Sequence, residues 1–459
     1  MTIQLKVMFP VIAILLAVAI VYEPLLLGIP IIGLVVMLGS VYPLEKTTKI
    51  LWYVLIISAF FGSFLSIPGL SNLFLYRILL PIHVLLFLVT YSQNKGLAKA
   101  DFRYIWLLLL FLATGFIPLI WAEYPLAVLR NLYYVVEAIY LIYTCMYYLR
   151  DATVRQQLLR LIPLAVLPNI VIALYEITTG QHLTKSSLTE AIGNTMYLPS
   201  GVFFNPNDLA AFLTLFIPIY IVLYTEKTIG VRLMKIGMAI AGMYIVIATE
   251  SRICIALLAT MLLIILFHHS KKWLLAMILG LVVLIPLVLQ MDSFATLDET
   301  IENIYTGKQN STDVRMDISS ATWQLAQDKF LIGAGPGNAQ YQLINYFLTD
   351  ELSGNDTIAV HNFLLEVLAN YGVQSAIFFY SFLLLIFIRS IRLSVTGIRN
   401  WLYRSMPLLL STSLTILFFS SSTTLEKPYI WIGFGIILSL LITNDWSKKH
   451  ETNSFYRTK

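Results

Sequence analysis

Apolar runs recur along almost the whole chain, and polar residues gather in the gaps between them. A helix that crosses a bilayer needs about 20 mostly apolar residues, within a range of about 17–25. Fourteen runs approach that length, roughly at 7–22, 25–41, 50–67, 78–91, 104–121, 131–149, 159–175, 208–224, 236–249, 252–268, 273–290, 372–388, 406–423 and 429–444. Several cores are short and must borrow flanking residues. Only Glu250-Ser251-Arg252 breaks the runs at 236–249 and 252–268, which predicts either one helix or two meeting at a tight turn. The pattern therefore predicts twelve to fourteen spans. The first run leads at once into another and reads as an uncleaved helix rather than a removed signal. No repeat at a fixed period is visible, nor a matched pair of Gly/Pro-broken helices of the kind a transporter carries.

The polar gaps are unequal. Two are long, 176–207 and 291–371, and the second runs to about 80 residues, far beyond an ordinary connection. Within it, Asn310-Ser311-Thr312-Asp313 offers helix-capping types. Val314, Ile318, Ala321, Trp323 and Leu325 then recur at roughly helical spacing as far as Phe330, and Gly333, Gly335, Pro336 and Gly337 end the pattern. This predicts an amphipathic helix of about four turns with Arg315 in its first turn.

Composition sharpens the class. The 459 residues are 58% hydrophobic and only 12% charged, with a mean hydropathy of +0.80. A soluble domain is about 25% charged, so this chain has too little polar surface for a water-soluble enzyme, a disordered chain or a nucleic-acid binder. The expected fold is an all-α integral membrane protein, a polytopic bundle of 12–14 transmembrane helices with a large, partly helical extracytoplasmic loop. Its expected regions are N-terminal helices over 1–160, a catalytic region over 161–390 that holds the loop 291–371, and C-terminal helices with a cytoplasmic tail over 391–459. With both termini inside, 22 of the 30 Lys and Arg fall in short cytoplasmic segments and 8 on the other side, as the positive-inside rule requires. Both long gaps and most carboxylates then face outward, where nucleotide sugars and ATP are absent. Two cysteines, Cys145 and Cys254, lie in apolar runs and provide no disulfide framework.

Few polar groups remain as candidates for chemistry. Arg252 lies at or near membrane depth, where a charge is costly and usually functional. It could bind an anionic headgroup, or Glu250 could neutralise it. Arg315, beside free N–H groups at a helix start, could hold a phosphate, or serve as a solvated helix charge. His361 opens a helical stretch in which Asn362 and Glu366 share a face and His361 and Glu366 do not. Asn205 and Asn207 stand at a helix entrance, as caps or as hydrogen-bonding groups for a sugar or phosphate. The glycine-rich run Gly333-Ala334-Gly335-Pro336-Gly337-Asn338 lacks the Walker A ending and reads as a turn allowing close backbone approach. Clustered metal-ligand spacing is absent from the sequence, and neither a metal nor a cofactor is expected.

Taken in order, Phe203-Phe204-Asn205-Pro206-Asn207, Glu250-Ser251-Arg252, Arg315 followed by Trp323, Gly333-Ala334-Gly335-Pro336-Gly337-Asn338, and His361-Asn362 followed by nine residues and Gly372 resemble the O-antigen ligase and polymerase superfamily. The resemblance covers roughly 160–390. It implies a metal-independent glycosyltransferase at the outer face of the bacterial plasma membrane, drawing on an undecaprenyl-diphosphate-linked glycan donor and a glycan acceptor. It further implies that Arg252 and Arg315 hold the diphosphate, that His361 assists the acceptor hydroxyl, and that Asn205, Asn207, Asn362 and Glu366 bind substrate. Membrane lipids, a flippase and a chain-length regulator are the implied partners. Three activities fit: polymerisation of lipid-linked repeats, ligation of finished glycan to lipid A core or protein, and, in another class, flipping or transport of lipid-linked glycan. Ligases of the superfamily often carry Gly-x-x-Gly after the histidine, whereas here Gly372-Val373-Gln374-Ser375 lacks the second glycine.

Overall fold

The computed structural model describes residues 39–67, 70–91, 101–269, 309–347, 357–395, 401–419 and 424–455. The runs at 7–22 and 273–290, and most of 25–41, lie outside the described residues. The rest is helical apart from one short hairpin, so the protein is an all-α, multi-pass membrane protein. Among the described residues, six helical stretches are long and apolar enough to cross a membrane: Arg103–Ile120, Pro125–Tyr148, Ala152–Thr179, Pro206–Leu223, Ile229–Ala248 and Val373–Val395. Leu75–Thr90, Arg252–His268 and Pro428–Thr443 are shorter apolar helices.

The chain forms two compact units that interleave along the sequence, 1–96 with 160–209, and 97–159 with 210–459. In the first, α1 (Leu44–Phe61) and α2 (Leu75–Thr90) pack together. The apolar run predicted as a span over 50–67 stops being helical earlier. Gly62, at φ +47°, ends α1, and Ser66–Ile67 pairs antiparallel with Leu70–Phe74. Further on, α6 (Pro163–Thr179) starts on a proline at its first position and stops at Gly180, a left-handed residue at φ +67°.

Glu176, fully buried in the last turn of α6, organises the following gap. Its carboxylate accepts from Ser200 N (2.8 Å), Gly201 N (2.7 Å) and Ser200 Oγ (3.1 Å), and His182 Nδ1 lies 3.2 Å away. Asn169 Oδ1 accepts from Val202 N at 3.1 Å. A buried carboxylate is tolerable only when its lone pairs are satisfied. The price of that burial sets the return path of residues 180–204, and so fixes where α7 (Pro206–Leu223) begins.

The second unit contains α3 (Arg103–Gly115), α4 (Pro125–Tyr148), α5 (Ala152–Leu161), most of α7, α8 (Ile229–Ala248) and α9 (Arg252–His269). Beyond them come α10 (Gln309–Asp328), α11 (Ala339–Gln342), α12 (Phe363–Tyr371), α13 (Val373–Val395), α14 (Trp401–Phe418) and α15 (Pro428–Phe455). Helix α4 lies along α15, and α13 packs on both α3 and α14. A Cβ on Gly435 would stand 2.4 Å from Cys145 Cβ, so a bare glycine lets α15 approach α4 closely. Phe111, Phe363, Phe379 and Phe418 form an aromatic core with ring centroids 5.0–6.2 Å apart. Between α8 and α9 the chain turns at Glu250, at φ +54°, so the weakest predicted boundary is a genuine tight turn between two helices.

The large loop packs as a small domain on these helices. Ile318, Leu325 and Ala326 of α10 meet Ala339, Leu343, Val360 and Ala369 in one buried cluster. Helix α10 starts at Gln309, earlier than the capping signals at 310–313 predicted. Those polar residues join the first turn instead of capping it, and Arg315 moves into the second turn, away from the free N–H groups. The glycine-rich turn makes the predicted close approach. Ala334 N and Gly335 N donate to the carbonyls of Ala369 (2.8 Å) and Asn370 (3.0 Å) at the end of α12. A Cβ on Gly333 would lie 2.6 Å from Gly372 N. The end of α3 holds the other side. Trp121 Nε1 donates to Gly333 O at 2.8 Å, and Tyr124 N to Asn338 Oδ1 at 2.8 Å.

Candidate functional site

The basic groups come from four distant segments of the second unit. Arg252 opens α9 directly after the Glu250 turn. Arg315 lies in the second turn of α10. His361 sits just before α12 with its backbone at φ +50°, a left-handed conformation uncommon outside glycine. It is held there because the next residue, Asn362, caps α12 by accepting from Leu365 N at 3.2 Å. Lys427 precedes α15 in a turn closed by Lys427 N donating to Thr424 O (3.1 Å).

Their electrostatics link them pairwise. Burial and then the Arg252 guanidinium lower the pKa of Arg315. Burial, Arg315 and Lys427 push His361 down to about 4. At neutral pH the imidazole is therefore uncharged and keeps a lone pair. Among the described residues, no ion pair is seen for Arg252 or Arg315. Cations brought together without counter-charge repel one another. An anion placed among them relieves that repulsion, and a diphosphate offers two charges to share.

The remaining expected residues fall into two groups. Asn205 Oδ1 accepts from Asp208 N (2.9 Å) and its amide donates to Asp208 Oδ2 (3.1 Å), a reciprocal cap at the start of α7. Asn207 is exposed in that first turn. Both belong to the first unit. Asn362 uses its oxygen as a cap. Glu366 is only 4% exposed, accepts from Gln340 Nε2 at 3.3 Å, and lines a polar cavity of about 200 Å³ together with Arg130, Asn131, Gln340, Tyr341 and Glu426.

Lys427 and the cavity residues Arg130, Asn131, Gln340 and Tyr341 carry no motif and went unmarked in the sequence. The one signal available for Lys427 was its place on the same predicted side as Arg252 and Arg315, in a short connection between spans.

Residues 236–380 match the family model described as O-antigen ligase. That match contains Arg252, Arg315 and His361. The chain is also 26% identical over 348 residues to the teichuronic acid biosynthesis protein TuaE of Bacillus subtilis (strain 168), covering 72% of this chain and 70% of that protein. Over residues 236–380 the chain is similar to O-antigen ligases. Both similarities support a membrane protein of cell-surface polysaccharide synthesis, of glycosyltransferase or ligase type. Within this O-antigen ligase-like protein the matched region runs from α8 to the first third of α13, so Lys427 and Arg130 lie beyond it.

Proposed function

We propose that the protein polymerises undecaprenyl-diphosphate-linked oligosaccharide repeats on the outer face of the bacterial plasma membrane, with both termini in the cytoplasm. The observation that carries this reading is the convergence of Arg252, Arg315, Lys427 and a neutral His361, with no ion-pair partner for either arginine among the described residues. The bond from the sugar's anomeric carbon to the diphosphate breaks as the acceptor oxygen bonds to that carbon. Negative charge grows on the departing carrier diphosphate, and the guanidinium groups stabilise it in a partly dried site. His361 takes the acceptor hydroxyl's proton. The carrier's own phosphate linkage supplies the driving force, so neither a nucleotide nor a metal is required. Orientation follows from the Lys and Arg bias across the predicted segments.

Polymerase is favoured over ligase by Ser375 standing where ligases often place a second glycine, and by the relative's printed role in teichuronic acid biosynthesis. Deleting the protein and profiling carrier-linked glycan separates the readings. A polymerase leaves single repeats on the carrier. Full-length glycan stranded on the carrier means a ligase, and labelled carrier retained inside means a flippase.

The electrostatics set the pH dependence. A base must be unprotonated, so the acid limb of kcat/KM, which reports the free enzyme, is expected near pH 4 rather than near 6.5. Bound diphosphate offsets the positive field of Arg315 and Lys427 and favours the imidazolium. The acid limb of kcat therefore moves to higher pH than that of kcat/KM. Lys427→Met removes one of the two cations and shifts the kcat/KM limb upward. A limb that stays put in Lys427→Met would separate Lys427 from His361.

A further inference from the structure

The polar cavity lined by Glu366 and Glu426 has a different chemistry from the basic groups. Its walls carry two carboxylates, Glu366 and Glu426, against one guanidinium, Arg130. Asn131 and Gln340 add amide donors and acceptors. Tyr341 supplies an aromatic wall held by stacking on Tyr124, with ring centroids 4.4 Å apart and planes at 24°. An excess of acceptors repels phosphate and favours hydroxyl donors, and an aromatic face suits the C–H face of a sugar ring. At about 200 Å³ the cavity has room for about one sugar ring. Two of its walls lead to His361. Thr357 and Glu366 line the cavity and bracket His361 in the chain. Glu426 lines it too, and the next residue, Lys427, acts electrostatically on His361.

We propose that this cavity is a saccharide subsite for the acceptor, binding an uncharged sugar ring and presenting its hydroxyl to His361. This rests on the glycan-transfer reading above and deepens it, dividing the site into a cationic half for the donor diphosphate and an acceptor-rich half for the incoming sugar. Glu366 is the buried anchor, and Gln340 holds its carboxylate in place (Nε2 to Oε1, 3.3 Å). Arg130 and Asn131, one after the other on α4, face the sugar from the other side.

The test uses full-length protein in detergent and two probes. One is the oligosaccharide released by mild acid from the cell's carrier-linked glycan, and the other is undecaprenyl diphosphate. Asn131→Ala, Gln340→Ala and the mild Glu426→Gln are each expected to weaken oligosaccharide binding about tenfold, as the loss of one or two hydrogen bonds requires. Their binding of undecaprenyl diphosphate should stay within about twofold of wild type. Arg252→Ala and Arg315→Ala should show the reverse pattern. Unchanged oligosaccharide binding in all three cavity variants overturns the subsite, as does wild-type protein that does not bind the oligosaccharide. So does saccharide loss that always accompanies diphosphate loss. Undecaprenyl diphosphate binding that ignores both arginines sinks the donor assignment instead, with the saccharide measurement still readable.

Discussion

Arg315→Ala is expected to lower glycan transfer by roughly a hundred- to a thousandfold while the protein remains in the membrane at normal abundance. Arg315 is half-buried on α10, with Arg252 near enough to depress its pKa. A guanidinium held that way is not a solvated helix charge, since it bears desolvation and like-charge repulsion in the absence of a bound anion. On the proposed reading, it offers in return a bidentate contact to phosphate oxygens where charge develops. Arg315→Lys keeps the charge but loses the planar fork, and should fall between wild type and alanine. Arg252→Ala and His361→Ala should likewise stop chain lengthening. Lys329→Ala is the control. That lysine pairs with Glu123 at 3.5 Å on an accessible surface, and its removal should leave chain length unaltered. Glycan gels and membrane immunoblots read all of these. Normal glycan length in the three alanine variants of Arg252, Arg315 and His361 would defeat the assignment.

Gly372→Ala is expected to destabilise the loop by about 3–5 kcal/mol and abolish activity without preventing membrane insertion. Gly372 separates α12 from α13 at φ +73° and ψ 170°, a conformation essentially confined to glycine. A Cβ there would lie 2.4 Å from both the carbonyl carbon and the oxygen of Ile332. The obstacle is backbone, which cannot rotate away as a side-chain tip can. That backbone is also tied down, because Val373 N donates to Leu331 O and Gln374 Nε2 to Ile332 O, each at 2.8 Å. Moving it would pull the glycine-rich turn off the end of α12 and displace His361, eleven residues before Gly372 and beyond the far end of that helix. Limited proteolysis should reveal the loosened loop. Gly237→Ala is the comparison: in α8 nothing lies within 4 Å of its added Cβ, so the change should be neutral or slightly stabilising.

The sites of these variants differ in how visible they were beforehand. Gly372 and His361 stood out through their fixed separation, and Arg252 through its cost in an apolar setting. Arg315 was legible as an arginine on an outer helix. Its turn was misplaced, because polar residues that can cap a helix can also be absorbed into it. Asn205 was ambiguous between capping and substrate contact, and Asn362 was expected as a substrate contact; both oxygens serve as caps. Glu176 attracted no notice, since a single acid near the end of an apolar run says nothing about the backbone N–H groups it will accept from.

The chain's local pattern was enough to determine that it is a helical membrane protein and roughly where most of its described helices lie, and it carries the Lys and Arg bias from which the proposed orientation is read. Hydrocarbon leaves backbone amides no partner except their own helix, and the cost of moving charge across it is paid residue by residue, so both are written in runs and their flanks. Only the tertiary structure decided that Lys427 joins Arg315 and His361, and that Arg130, Asn131, Gln340 and Glu426 enclose one cavity with Glu366. Those groupings depend on which helices pack side by side over separations of up to about 300 residues, a choice made by the summed shape of whole surfaces, with no trace at any one position.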